Sequence, residues 1–408
     1  MGIKNVNQIV KEKSPRAFFT VPTESITGKR IAIDSPLWFY TNISSLTKSY
    51  VLKMKDILED IDRDKIIIPC LSRILRFHTN WLESDITCIW IEDGKVPKEK
   101  QELARKRRAE KRESTGDKIK ALKDKLRCQD PLLRSKSDVE ELRKLMCNYS
   151  YILPEEYELM YNIIDGFGLP HIKAPSEAEA FACSLNIAGL VYGVWTTDTD
   201  CYALGGINMI TGYGDNENKT VNVVHIPRIL TDMEFNQKKM LDFCIMCGTD
   251  FNDNIPRVGV QGAYKAIQEY GSITKYKKSK NKDCTILNYR RSRELLTAPV
   301  CELKLDSPEL KHNKVVFDDI AKELSISYNL GDYYAKMMYQ HDRDIPCELY
   351  EPSKKKKITI RIKEVSDDEE EKPAKLFIQG RDDKPTGKLI IDEPLPRCKS
   401  KVVIEELD

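Results

Sequence analysis

Four short apolar runs limit what this chain can fold into. "KRIAID" (29–34), "DITCIWIED" (85–93), "LVYGVWTTD" (190–198) and "VNVVHI" (221–226) are of strand length, rich in β-branched and aromatic residues, and bounded by turn formers. Long amphipathic stretches, 137–148 and 153–165 among them, lie between these runs. Strands alternating with helices predict an α/β fold with a mostly parallel central sheet flanked by helices.

At 408 residues and 41% hydrophobic composition, the chain can bury a sizeable core and still carry solvated extensions. Beyond Tyr350 the text changes to "EPSKKKKITIRIKEVSDDEEEKPAK", which reads as a charged, flexible tail over 351–408 with at most a short strand. The formal charge of +2 conceals segregation, because 66 basic and 64 acidic residues are gathered into separate stretches. Twelve cysteines show no repeated metal-binding spacing, and the close pair Cys244 and Cys247 sits in an apolar run that reads as a core helix. No signal peptide or membrane-length apolar span is present, so the expectation is a thiol-reduced intracellular protein, nuclear if the source is eukaryotic. The opening "MGIKNV" lacks the Ser or Thr of a myristoylation signal, which leaves Gly2 to some other use or to none.

The strand runs share a second property: they end in acids. Asp34 closes "IAID", Asp93 closes "CIWIED", and Asp198 and Asp200 close "VWTTDTD". Parallel strands put all their carboxyl ends on one edge of the sheet, where sites form in open α/β folds. Read as strand, Asp198 and Asp200 point to the same side by the period-two rule. Glu177 and Glu179 in "APSEAEAFACSL" stand at a helix start marked by Pro175 and Ser176. Residues two apart in a regular helix diverge, so either the helix begins between them or one glutamate reaches a metal through water. Asp250 in "MCGTDFND" follows an apolar helix and brings the acids to seven. Seven ionised acids in one cleft need cations. Oxygen-only donors suit Mg²⁺ or Mn²⁺, and two such ions ~3.5–4 Å apart activate a water and stabilise the leaving oxygen of a phosphodiester displacement.

"IAID" with Tyr40 beyond it, "EDGKVP", "APSEAEA", "TTDTDCYALG" and "CGTDFND" followed by "IPRVG" resemble, in order, the motifs of the flap endonuclease and XPG-type family of structure-specific 5′ nucleases. The resemblance runs to about Gly271. It implies a PIN-like nuclease core, two divalent metals, a helical arch and a helix–two-turn–helix element that holds duplex DNA. It makes Asp34, Asp93, Glu177, Glu179, Asp198, Asp200 and Asp250 the metal-site acids, and Gly2 and Tyr40 DNA contacts, with Tyr40 stacking on a base near the cut. The bland reading of Tyr40 is packing within "PLWFY", whose Trp38 and Phe39 are expected core residues. The implied organisation is an N-terminal nuclease region over 1–94, an arch and connector over 95–150, an internal nuclease region over 151–350, and then the tail.

Residues 95–127 carry fourteen Lys or Arg against six Asp or Glu. Unaided, such a run reads as a solvated helix face. Lys100 and Arg107, seven apart and so on one face, match the family's pair that holds the scissile phosphate, with Lys98, Arg105, Lys106 and Arg108 as competitors for the register. Lys120 and Lys123 are expected to be ordinary surface charges. The helix–two-turn–helix, about 245–275, has its turn at "NIPRVGVQG", where Arg257, Gly259 and Lys265 are the expected phosphate contacts. Arg257 stands where the family has glycine and Gly262 at a usual basic position, which counts against the K⁺ ion the family often binds there. "QKKMLDFC" faintly resembles a sliding-clamp box but lacks paired aromatics, and no such box appears in the tail, so clamp binding is unsupported. Lys354–Lys357 fit a nuclear-import signal, a phosphate contact or a solvated run equally well. Branched or flapped DNA is the expected partner and a monomer the expected state. The expected reaction is 5′-flap or junction cleavage, with a 5′–3′ exonuclease or a non-catalytic branched-DNA binder as alternatives.

Overall fold

The computed structural model describes residues 2–215 and 219–313, together with the strand segments 360–362 and 402–404; within the long basic helix the side chains of 103–108 and 111–113 are not described. The chain divides into a main unit, Met1–Leu349, and a second, Tyr350–Asp408.

The main unit opens with α1 (Val6–Lys13), β1 (Phe18–Pro22), β2 (Arg30–Asp34), α2 (Ser35–Lys53), α3 (Asp64–Leu82) and β3 (Thr87–Glu92). A 30-residue helix, α4 (Lys98–Arg127), leads through α5 (Lys136–Asn148) and α6 (Pro154–Gly166) to β4 (His171–Lys173), α7 (Ala178–Ile187), β5 (Gly193–Trp195) and α8 (Asp200–Leu204). Then come β6 (Asn208–Tyr213), β7 (Thr220–His225), α9 (Ile226–Asp232), α10 (Gln237–Cys247), α11 (Val260–Tyr270), α12 (Ile273–Lys280) and α13 (Tyr289–Leu295). In the second unit β8 (Ile360–Ile362) pairs antiparallel with β9 (Val402–Ile404). Lys354–Lys357 and the rest of the tail lie outside the described residues.

The seven strands of the main sheet run β1-β7-β6-β5-β2-β3-β4. From β6 to β4 every pairing is parallel, whereas β7 pairs antiparallel with both β6 and β1. The expected mostly parallel α/β sheet is therefore present, with "VNVVHI" on its antiparallel side. β2 is buried at all five positions, as an interior parallel strand covered on both faces must be.

Alternation along the strands builds two core layers. Ala32, Ile89, Ile91, Val194, Met209 and Val224 face a core completed by α1, α7, α8, α10 and α11. Ile31, Ile33, Cys88, Trp90, Ile210 and Val223 face the other, completed by α2, α3 and α6. Trp38 and Phe39 belong to that second core and meet Trp90 at ring-centroid distances of 5.2 and 6.0 Å. Tyr40 does not join them: it is half-buried and stacks on no ring among the described residues. Cys244 and Cys247 are buried on α10, as are Met240 and Phe243, so "QKKMLDFC" is a core helix.

Segment 305–313 is tied to the main sheet and its flanks. Arg30, 1% exposed, donates from Nη1 to Leu305 O at 3.1 Å, and Asn313 N donates to Gly168 O at 2.8 Å. His312 meets the buried His78 at 2.9 Å between Nε2 atoms, and His78 accepts Trp90 Nε1–H at Nδ1.

One expectation is overturned on α4. Lys123 is not a surface charge: it is 6% exposed, and its ammonium donates to Glu59 O and Asp60 Oδ1, each at 2.8 Å. The cause is a third, small core in which Leu126 of α4 packs with Val51, Ile57, Leu58, Leu142 and Met146, which draws that face of α4 onto the α2–α3 loop. Lys120 remains exposed. Lys123→Ala is expected to lower the unfolding free energy by ~1–3 kcal/mol, because the packing of a buried stem and two hydrogen bonds from its ammonium are lost together. Lys120→Ala should stay within about 0.5 kcal/mol. Urea denaturation of the two variants checks this, and equal small effects would contradict the burial.

Candidate active site

Asp34 is the last residue of β2 and caps α2, its Oδ1 accepting from Leu37 N at 3.3 Å. Its Oδ2 accepts from Thr196 Oγ1 at 2.9 Å. Asp93 follows β3 and reaches across to α7, whose Ala178 N donates to its Oδ1 at 2.8 Å. The next residue explains "EDG": Gly94 N donates to Ser176 O at 2.6 Å, and a Cβ at Gly94 would lie 1.8 Å from Ala174 O. Only glycine lets the exit of β3 pass beneath the loop that carries the glutamates.

The two-residue spacing of those glutamates is resolved by the helix boundary. Glu177 is the extended N-cap of α7 (φ −83°, ψ 144°) and Glu179 lies in its first turn, so the helix begins between them. Both carboxylates converge on one cation. Lys100, in the first turn of α4, donates from Nζ to Glu179 Oε1 at 2.8 Å and also contacts Glu177 Oε1. The ammonium lies 5.9 Å from the centre of the Phe251 ring.

Asp198 and Asp200 come together by a different route from the one the sequence suggests. The strand ends at Trp195, too early for period-two geometry to apply to them. A turn does the work instead: Thr196 Oγ1 accepts from Asp198 N at 3.0 Å, and Asp198 Oδ1 accepts from Asp200 N at 3.1 Å, which starts α8. Thr196 thus serves Asp34 and Asp198 at once. Asp250 sits in the turn after α10, near enough to push up the carboxyl of Asp200.

Gly2 lies against this turn. Its φ is +84°, and a Cβ there would stand 2.1 Å from Asp198 Oδ1 and 2.9 Å from Asp200 Oδ1. Ile3 N donates to Thr199 Oγ1 at 2.8 Å, which fixes the approach. Any side chain at position 2 would enter the acid cluster.

Electrostatic contacts link the acids through Glu179, Asp198 and Asp200, with Asp250 joined through Asp200. Burial, then Glu179 and Asp198, holds Asp34 well above the usual carboxylate range, against the Thr196 hydrogen bond. Burial and then Glu179 push Asp93 up to about 6 and Glu177 up to about 7, in the latter against Lys100. Asp198 is raised by burial and Glu179, and Asp200 well raised by burial and Asp198. Burial alone would lower Lys100, but Glu179, Glu177 and Asp200 outweigh it and keep the ammonium charged.

The donors are oxygen only, which suits a hard divalent cation. Asp200 Oδ1 adds a more specific sign: it is buried, on a residue 2% exposed, and has no hydrogen-bond partner. A buried charged oxygen left so is costly unless a cation meets it. The acids nevertheless do not form a closed ligand set as they stand; among the described residues no three of them are disposed around a common point. Lys100 holds the two glutamates.

The stretch where the helix–two-turn–helix is expected folds as α10 and α11 with the turn 248–259 between them. Asn254 Nδ2 donates to Val258 O at 3.1 Å within the turn. Arg257 has φ +64°, the conformation that favours glycine, the residue the resemblance implies at this position. The exposed guanidinium is held out at the cost of backbone strain. Gly259 caps α11, and Lys265 is exposed on it. Arg257→Gly is expected to stabilise the protein by about 1 kcal/mol while weakening duplex binding. Thermal denaturation and a DNA titration read the two effects separately.

Thr196, Gly94 and Phe251 are missing from the set the sequence suggests. All three lie inside quoted motifs, Thr196 in "TTDTDCYALG", Gly94 in "EDGKVP" and Phe251 in "CGTDFND", but none is an acid or a base that the metal-site argument singles out. The side chain of Arg107 lies outside the described residues.

Descriptions of known families match the chain in two blocks, the XPG N-terminal domain at residues 1–114 and the XPG I-region at 168–250. Flap endonuclease 1 of Zea mays is 27% identical over 318 residues, which cover 76% of this chain and 78% of that protein. Flap endonuclease-1 from Methanococcus jannaschii shares the fold with a TM-score of 0.56 at 22% identity, over 80% of this chain and 97% of that one. The catalytic core of Rad2, solved in complex with DNA substrate, gives 0.53 at 18% identity, over 85% and 100%. The chain belongs to the XPG family of structure-specific 5′ nucleases, a family that depends on divalent metal.

Proposed function

We propose that this protein hydrolyses DNA phosphodiesters at 5′ flaps or other junctions of single and double strand. The observation that carries the reading is the buried carboxylates at and beyond the carboxyl ends of β2, β3 and β5, with Asp200 Oδ1 unpartnered among them. Asp34, Asp93, Glu177, Glu179, Asp198, Asp200 and Asp250 would hold two Mg²⁺ ions, for which Mn²⁺ can substitute. When bound, such ions activate a water and stabilise the leaving oxygen.

The chain's own groups do the rest. Lys100 and Arg107 neutralise charge on the scissile phosphate. Tyr40, free of the aromatic core, offers a face to the base beside the cut. Gly2 keeps the start of the chain slim where DNA must approach the acids. Arg257, Lys265 and the backbone N–H groups at Gly259 grip the phosphates of the duplex. The Arg257 guanidinium supplies positive charge at the turn where the resemblance implies a K⁺ ion.

The test places a 5′-end label on a flapped, a nicked and a gapped duplex in Mg²⁺ and compares product lengths. Release of the intact flap supports the proposal. Mononucleotides from the nick would indicate an exonuclease instead, and binding to all three without any product would indicate a non-catalytic branched-DNA binder.

A further inference from the structure

The Glu177 and Glu179 carboxylates share one ammonium, and that ammonium belongs to the helix that also carries Arg107. The side chains of Lys100 and the two glutamates are largely buried, at 20%, 9% and 11% exposure. The ammonium also lies near the Phe251 ring, so the seat is formed by three residues from two separate parts of the chain. It is a built cation site, and its occupant is part of the protein.

We propose that Lys100 is the resident counter-cation of the Glu177–Glu179 pair in the metal-free protein, and that a divalent metal binds there only by displacing it. The inference rests on the metal-site reading above and deepens it. In the metal-free state Lys100 neutralises two of the most crowded acids, so the fold does not have to hold seven uncompensated carboxylates. A metal arriving at the seat must outcompete an intramolecular ligand, which reduces its apparent affinity by the fraction of time Lys100 is away. Displacement also frees the ammonium, still anchored at the first turn of α4, to meet a phosphate. Metal loading and the presentation of the cation to DNA are then one event.

Other cations nearby do not share this position. Lys4 pairs with Asp253 at 3.0 Å, and its backbone N donates to Gly248 O next to the Asp250 turn, yet its ammonium touches none of the seven acids. It is a control for the general effect of removing positive charge close to the site.

The experiment measures Mn²⁺ binding to the full chain without DNA, by the electron paramagnetic resonance signal of free Mn²⁺. Lys100→Met should tighten the affinity roughly tenfold if Lys100 is seated about nine-tenths of the time. Lys4→Gln should change it by no more than about twofold, as expected for an exposed charge. Without metal, in EDTA, Lys100→Met should melt at a lower temperature than the natural protein, and Mn²⁺ should close the gap. Lys100→Arg, which keeps a cation at the seat, guards against a folding defect in the methionine variant and should leave Mn²⁺ affinity nearer to the natural value.

Unchanged affinity in Lys100→Met, or equal tightening in Lys4→Gln, would overturn the displacement while leaving the metal site intact. If the natural protein binds no Mn²⁺ and Lys100→Met binds none either, the metal-site reading itself fails, and the displacement with it.

Discussion

Replacing Asp198 by alanine is expected to reduce cleavage of a 5′-flapped duplex in Mg²⁺ by at least ~10³-fold, since loss of a metal ligand forfeits several kcal/mol of charge stabilisation. The size of the effect follows from how much converges on this residue. Asp198 Oδ1 receives Asp200 N and so begins α8, and its backbone N is held by the same Thr196 hydroxyl that holds Asp34. Removing the carboxylate takes away one ligand and loosens the turn that aims a second. DNA binding in Ca²⁺ should change little, because the expected phosphate contacts lie on α4 and around α11. Asp198→Asn separates the two causes, since the amide oxygen can still accept from Asp200 N but carries no charge. That variant should be as inactive as the alanine one. Its melting temperature in EDTA should be equal to or above that of the natural protein, because one of a group of mutually repelling acids has been neutralised. Substantial Mg²⁺-dependent cleavage by either variant would show that the acids are wrongly assigned.

Lys100→Met is expected to slow single-turnover cleavage by ~10²–10³-fold at saturating metal and DNA, the range found when a preorganised charge or donor aimed at the transition state is deleted. Tighter metal binding makes this a sharp test: the variant should load Mn²⁺ more readily and cut more slowly. Extra metal should not rescue it. Arg107→Gln should act in the same direction. Neutralising the exposed Lys118 and Lys120 should instead weaken DNA affinity and flatten its dependence on salt, with the saturated rate left alone. If Lys100 and Arg107 behaved like Lys118 and Lys120, residues 95–127 would be a basic DNA-binding helix with no part in the chemistry.

The acids are visible in the sequence because several of them end successive buried strands; any one alone would read as a helix cap or turn former, and Asp34 does also cap α2. Asp34 and Asp93 stand where the apolar runs stop. Asp198 and Asp200 were grouped correctly for the wrong reason: β5 has only three residues, and a threonine side chain takes over where the ladder stops. Short elements escape periodicity altogether, as β4 shows with His171–Lys173. β1 and β6, five and six residues long, were missed as well. Lys123 was misread because composition counts charges without saying which of them a small apolar cluster nearby will pull inward. The left-handed backbone at Arg257 left no trace in the arginine itself, only in the resemblance, which implies a glycine at that position.

The strand order has a consequence for the covalent continuity of the chain. β2 and β3 precede α4, yet their outer partners, β5 and β4, follow it; β1 is likewise held by β7 from the later part. Each half of the polypeptide supplies ladder partners that the other lacks, so the peptide bonds of α4 carry none of the cohesion of the sheet. A single proteolytic nick in the middle of that helix should therefore leave two fragments that co-purify as one particle, with Asp34 and Asp93 on one piece and the remaining five acids on the other. Lys100 would stay with the first piece, on a severed stub, and what such a nicked particle still cuts would measure what the intact span adds to the site.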